Sequence, residues 1–157
     1  MKNISLITAL ALSTASIVAA PAALPDPSKL PPASKQEGVA FEKDIHPLLE
    51  DYCVHCHGNE RPKNGLKLTS VENILKGSKD HKDIVVPGHS EKSRLVFSVA
   101  EINGKIFMPP KPRPPRASMN GGTNSPAPAP AVPAHPWKPL TSEQVGLIRA
   151  WIDQGAK

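Results

Sequence analysis

From Phe41 onward the apolar positions recur with a helical period. Phe41, Ile45, Leu48, Leu49 and Tyr52 fall at offsets 0, 4, 7, 8 and 11, which is one face of an amphipathic α-helix. Pro47 interrupts this stretch. A proline removes one helical hydrogen bond and crowds the turn before it, so the pattern predicts a helix kinked at Pro47 or one beginning there. The helix leads directly into Cys53. Gly58, Pro62 and Gly65 then mark a loop, Val71 to Leu75 predicts a short helix closed by Gly77, and Pro87-Gly88 predicts a turn. Ser90, with Ser93 and Arg94 behind it, opens a further helix reaching about Ala100, with Leu95, Val96 and Val99 as its stripe. The last helix has the clearest signals. Thr141 and Gln144 form a capping box, Val145, Ile148, Trp151 and Ile152 share a face, and Gly155 supplies the stop. No segment sustains alternation of period two, so the predicted fold class is all-α, built from several short helices.

Three stretches lack this amphipathic pattern. Residues 23–37 are proline-rich and read as an extended linker carrying the domain away from its processed end. Between Pro109 and Pro139 lie eleven of the 19 prolines, including the run Ser125-Pro126-Ala127-Pro128-Ala129-Pro130. Such a sequence forms neither helix nor sheet, and it predicts a disordered low-complexity insertion at about residues 111–138 with polyproline character. At the start, Lys2 precedes an apolar stretch from Ile4 to Ala20, and Ala20-Pro21-Ala22 offers small residues for cleavage. Residues 1–22 thus read as a signal peptide, with an uncleaved anchor as the less favoured alternative. The expected location is periplasmic or otherwise exported, with no stable membrane insertion after cleavage, and residues 38–157 form the domain.

Composition sharpens this picture. Aromatic residues make up only 4% of the chain, so side chains alone build a thin core. Small folds of this kind lean on a disulfide, a metal or a cofactor. The formal charge of +5 comes from scattered lysines, without basic runs or interleaved aromatics. That balance suits docking to acidic proteins and does not resemble a nucleic-acid footprint.

The chain has two cysteines, in Cys53-Val54-His55-Cys56-His57. This is the spacing of covalent c-type haem attachment. Two thiols separated by two residues reach the two vinyl groups of one porphyrin, and the histidine after the second cysteine is placed under the ring. Thioredoxin-like disulfide exchange uses a similar pair, but it needs a strand before the motif and a continuing helix after it. Zinc needs four ligands that two cysteines and scattered histidines do not assemble. For a second axial ligand the candidates outside the leader are Met108 and Met119. Met108 precedes Pro109-Pro110, which hold the backbone extended, so it reads equally as an axial thioether or as core packing. Met119 lies among Ser118, Asn120, Gly121 and Gly122, where nothing holds it. His46, His81, His89 and His135 read as solvated residues, and His55 should point away from the haem.

These residues together resemble the class I monohaem cytochromes c, and in particular the planctomycete-type cytochrome c domain. The resemblance rests on Phe41 to Ile45 with Pro47-Leu48-Leu49, Cys53 to Gly58, Gly65 to Leu68, and Val86-Pro87-Gly88 with Ser93 and Leu95. It continues through Met108-Pro109-Pro110 and Leu140-Thr141 to Trp151-Ile152 and Gly155-Ala156. It implies crossed N- and C-terminal helices around one covalently bound haem c and its iron. Cys53 and Cys56 would carry the thioethers, with His57 as proximal and Met108 as distal iron ligand. Leu66 and Leu68 would touch the porphyrin, and the Pro62 carbonyl would orient His57. The implied function is electron transfer by a carrier that meets transient redox partners and performs no catalysis. A five-coordinate haem that senses gas or reduces peroxide is the alternative, and a disulfide oxidoreductase using Cys53 and Cys56 ranks below it. Lys63, Lys67 and Lys105 are the expected steering charges. The proline-rich insertion is the main departure from the family pattern.

Overall fold

The computed structural model describes residues 24–102, 107–111 and 138–157. The leader, His135, Met119, Lys105 and nearly all of the proline-rich insertion lie outside these described residues.

Residues 41–57 form one unbroken helical run, labelled α1, that changes its winding as it goes. It is π-helical over Phe41–Ile45, α-helical over His46–Leu49, π-helical again over Glu50–Val54 and α-helical over His55–His57. Pro47 neither starts this helix nor breaks it. The turn ahead of it is wider, with the His46 amide donating to the Phe41 carbonyl five residues back. A wider turn draws the backbone away from the proline ring, which has no N–H to give and would otherwise collide there.

The winding also decides which residues are buried. Phe41, Ile45, Leu49 and Cys53, each four residues after the last, are 4%, 0%, 0% and 8% exposed. In a regular helix of 3.6 residues per turn, each step of four advances by about 40°, so the stripe would drift around the cylinder. The two wide segments take up that drift and keep all four side chains on the core. Leu48 and Tyr52, expected on the same face, are only half-buried at its flanks.

The remaining helices follow the sequence more closely. The second, α2, spans Val71–Leu75, with the Ser70 hydroxyl accepting from the Asn73 amide and Gly77 turning the chain at a φ of 73°. The helix expected from Ser90 is divided. Ser90–Lys92 is a 3-10 turn, and α3 spans Arg94–Val99. The division follows from Ser93, whose Oγ accepts from the Val86 amide and donates to the His89 carbonyl, drawing that turn back onto its own loop. The last helix, α4, spans Ser142–Asp153 and carries both bonds of the capping box between Thr141 and Gln144. No strand occurs among the described residues.

The core gathers α1, α3 and α4. Phe41 packs on Trp151 with ring centroids 5.6 Å apart, and Ile45, Leu49, Val145, Ile148 and Ile152 fill the space around them. The Trp151 indole N–H donates to the Lys157 carbonyl at 3.0 Å, fixing the end of the chain. The loop at Pro87-Gly88 is tied to α4 by the Gly88 amide on the Ile152 carbonyl. Both the Ser90 amide and its hydroxyl donate to the Asp153 carboxylate.

The segment expected to be an extended linker packs against this body. Leu30 and Val39 are buried, the Ser34 amide donates to the Gly146 carbonyl, and the Arg149 guanidinium donates to the Pro31 carbonyl. Proline richness fixes an extended backbone, and an extended backbone also lies well along a helix whose side chains offer donors and acceptors.

Candidate functional site

The end of α1 opens onto a cavity of about 740 Å³. Tyr52, Cys53, Cys56 and His57 enter it from α1, Leu66 and Leu68 from the loop that follows, and Leu95, Phe97 and Val99 from α3. Met108 with Pro109 and Pro110 supplies another side, so the two thiols, the imidazole and the thioether predicted from sequence line one volume. His55 is exposed and lies outside this cavity. Lys63 lines it, whereas Lys67 does not.

His57 is held on both sides of its peptide. Its carbonyl accepts from the Leu68 amide at 2.8 Å, and its Nδ1 lies 3.3 Å from the Leu66 carbonyl. A carbonyl can only accept, so that contact places the proton on Nδ1 and leaves Nε2 with its lone pair. The Pro62 carbonyl does not play this part. It accepts from the Gly65 amide at 3.0 Å in the 3-10 turn Lys63–Gly65. Burial pulls the His57 pKa below its ordinary value, opposed in part by the bond to Leu66. The ring is therefore neutral at pH 7, as a metal ligand must be.

The thiols differ in setting. Cys53 is buried and Cys56 is half-buried. Burial, with Cys56 beside it, pushes the Cys53 thiol up to about 12. A disulfide exchanger needs the opposite, a thiol whose ionisation is eased. Among the described residues no group of three or more His, Cys, Asp or Glu side chains is placed to hold a metal ion.

Met108 is held by its backbone. Its amide donates to the Ser98 carbonyl at the end of α3 at 3.1 Å, and its side chain packs at the edge of the core. A thioether there faces the same volume as a neutral imidazole and two thiols. That donor set fits a c-type haem, and the volume falls within the roughly 300–1,000 Å³ of ordinary ligand sites.

Sequence reasoning missed part of the lining. His81, expected on the surface, and Arg94 both border the cavity, joined through Asp83. Arg94 Nε lies 2.8 Å from the Asp83 carboxylate and His81 Nδ1 lies 3.9 Å from it. Arg94 is only 18% exposed, a charged group at the rim of a mostly apolar space. Its place beside Ser93 at the helix start was the one available sign. Leu24 and Pro25, at the beginning of the described chain, also line the cavity.

An all-helical body that gathers a Cys-x-x-Cys-His segment and a distant methionine around one apolar cavity has the make-up of a cytochrome c domain. Residues 53–112 match the family described as planctomycete cytochrome C, which supports a planctomycete-type cytochrome c domain over that stretch. A curated relative, hydrazine synthase subunit alpha of Kuenenia stuttgartiensis, is 38% identical over 56 residues. The match covers 34% of this chain and spans only 7% of that relative's length. No solved structure matches the chain.

Proposed function

We propose that this domain binds one haem c through thioethers to Cys53 and Cys56 and passes single electrons between redox proteins outside the cytoplasm. The observation carrying this reading is the single cavity that brings both thiols, the neutral His57 and the thioether of Met108 together. When bound, the haem supplies a one-electron ferrous/ferric couple. The chain's own residues do the rest. Cys53 and Cys56 would hold the porphyrin, His57 would offer Nε2 to the iron, and Met108 would offer its sulfur. Leu66, Leu68, Leu95 and Phe97 keep water from the ring and favour the less charged ferrous state. Arg94, paired with Asp83 at the cavity rim, would be the cationic side chain available to the haem carboxylates.

Export through the leader belongs to this reading. It is supported by the leader pattern of Lys2 and the apolar stretch Ile4 to Ala20 and by the family match. Exposed Lys63 at the cavity edge supports encounter with an acidic redox partner. The likeness to a hydrazine synthase subunit favours a second reading, in which this domain serves as the redox module of a larger enzyme.

The test is expression of the full chain in a host that attaches haem, followed by intact mass, absorption spectrum and carbon monoxide titration. A covalent mass gain of one haem, lost when Cys53 and Cys56 are replaced by alanine, is expected. Met108→Ala should keep the haem, bind carbon monoxide readily, and lower the potential by roughly a hundred millivolts, a fraction of the roughly 0.8 V that axial ligands span. A colourless product of bare polypeptide mass sinks the proposal. Ready carbon monoxide binding by the unaltered protein removes Met108 as a ligand and favours the five-coordinate sensor.

A further inference from the structure

The segment before α1 reaches the cofactor cavity at one end and is fastened to α4 at the other. Leu24 and Pro25 are half-buried and line the cavity, with Leu24 packed on the core. The Asp26 carboxylate accepts from the Ser28 amide and caps the turn Pro27–Lys29, which redirects the chain toward buried Leu30. From there the backbone runs along α4. The Pro31 carbonyl accepts from Arg149, the Ser34 amide donates to the Gly146 carbonyl at 2.9 Å, and the Gln36 carbonyl accepts from Gln154 at 2.8 Å.

Gly146 makes this approach possible. It sits inside a regular helix, where its φ is one any residue adopts, so conformational freedom is not its purpose. A Cβ built there would lie 2.7 Å from the Pro32 carbonyl oxygen and 3.4 Å from the Ser34 amide nitrogen. The three nearest neighbours of that missing carbon all belong to the segment of residues 32–34. Glycine costs a helix interior stability relative to alanine, so its presence on a well-capped helix points to the backbone lying against it.

We propose that Leu24 and Pro25, carried by the segment that runs on to residue 34, form a fixed wall of the cofactor cavity, and that Gly146 is the positioning residue that seats this segment and so limits which small molecules reach the metal. The proposal rests on the haem reading given above. Leu24 and Pro25 cover one side of the cavity as packed structure, and the fastening of the following segment on α4 keeps them there.

The test compares the full haem-loaded chain with Gly146→Ala and, separately, Leu24→Gly. Gly146→Ala adds one carbon against the segment and none of the strain of a poor helix former. Two readings are taken. Trypsin cleavage after Lys29 and Lys35 reports the seating of the segment with or without haem, and imidazole titration of the ferric protein reports access to the metal. Gly146→Ala should be nicked at both lysines several-fold faster than the parent, with undiminished helical circular dichroism. Both variants should bind imidazole about threefold or more tightly, because a larger share of molecules is open to it. Leu24→Gly should do so without faster nicking at Lys35. Haem-loaded parent protein that is nicked at Lys29 and Lys35 as fast as Gly146→Ala, or imidazole affinity unchanged in both variants, overturns the proposal. Absence of covalent haem from all three proteins sinks the cofactor reading instead, and the nicking rates still decide whether Gly146 seats the segment.

Discussion

The two long helical segments of this molecule solve the same packing task in different ways. In α4, Val145, Ile148, Trp151 and Ile152 follow the 3.6-residue period, and the helix is regular and capped at its start by Thr141 and Gln144. In α1, the buried positions repeat every fourth residue from Phe41 through Cys53, and the helix widens twice to keep them in line. Of the two, α1 carries the thiols and the imidazole that line the cavity. Continuing its stride of four brings the chain to His57, so the irregular winding aims a buried thiol and an imidazole at the same cavity. Regularity serves packing, while the departure from it serves placement.

The comparison can be broken or sharpened by four measurements, taken from the largest expected effect to the smallest. Trp151→Ala removes the largest fully buried side chain and should cost about 3–5 kcal/mol in denaturant unfolding. Leu49→Ala should cost about 2–5 kcal/mol, and Leu48→Ala clearly less. Equal losses at the two leucines would mean that α1 is an ordinary helix after all. The haem-free protein should lose stability in alkali. Its Cys53 thiol holds its proton up to about 12, against 9.0 in the open chain, so folding is favoured below 9.0 and that favour is lost as pH rises through the window. Cys53→Ala should remove a slope amounting to a few kcal/mol, on the order expected for a shift of this size. Thr141→Ala should cost about 1 kcal/mol by removing the cap of α4 while leaving α1 unaffected, and a circular dichroism melt checks it.

The sequence announced α4 almost completely, because its signals are local. A hydroxyl at the cap, a glutamine three residues on and a glycine at the stop depend only on neighbours along the chain. The Cys-x-x-Cys-His segment was legible for the same reason. In α1 the expected stripe included Leu48 and Tyr52, and the even spacing of Phe41, Ile45, Leu49 and Cys53 held the better signal. What remained hidden came from contacts between distant parts. Arg94 and His81 reach the cavity only because α3 and its preceding loop fold against α1. The Leu66 carbonyl meets His57 in place of Pro62 because a 3-10 turn has already engaged the Pro62 oxygen. Residues 24–40 lack helical pattern, and nothing in their own composition tells an anchored extended chain from a loose one.

Burial of Cys53 sets an order of events for the maturing chain. A polypeptide that closes α1 first shuts one of its two sulfurs away from any electrophile and raises the cost of making it a nucleophile. On the proposed haem reading, attachment chemistry therefore belongs to the opened chain, and closure of α1 around the ring comes second.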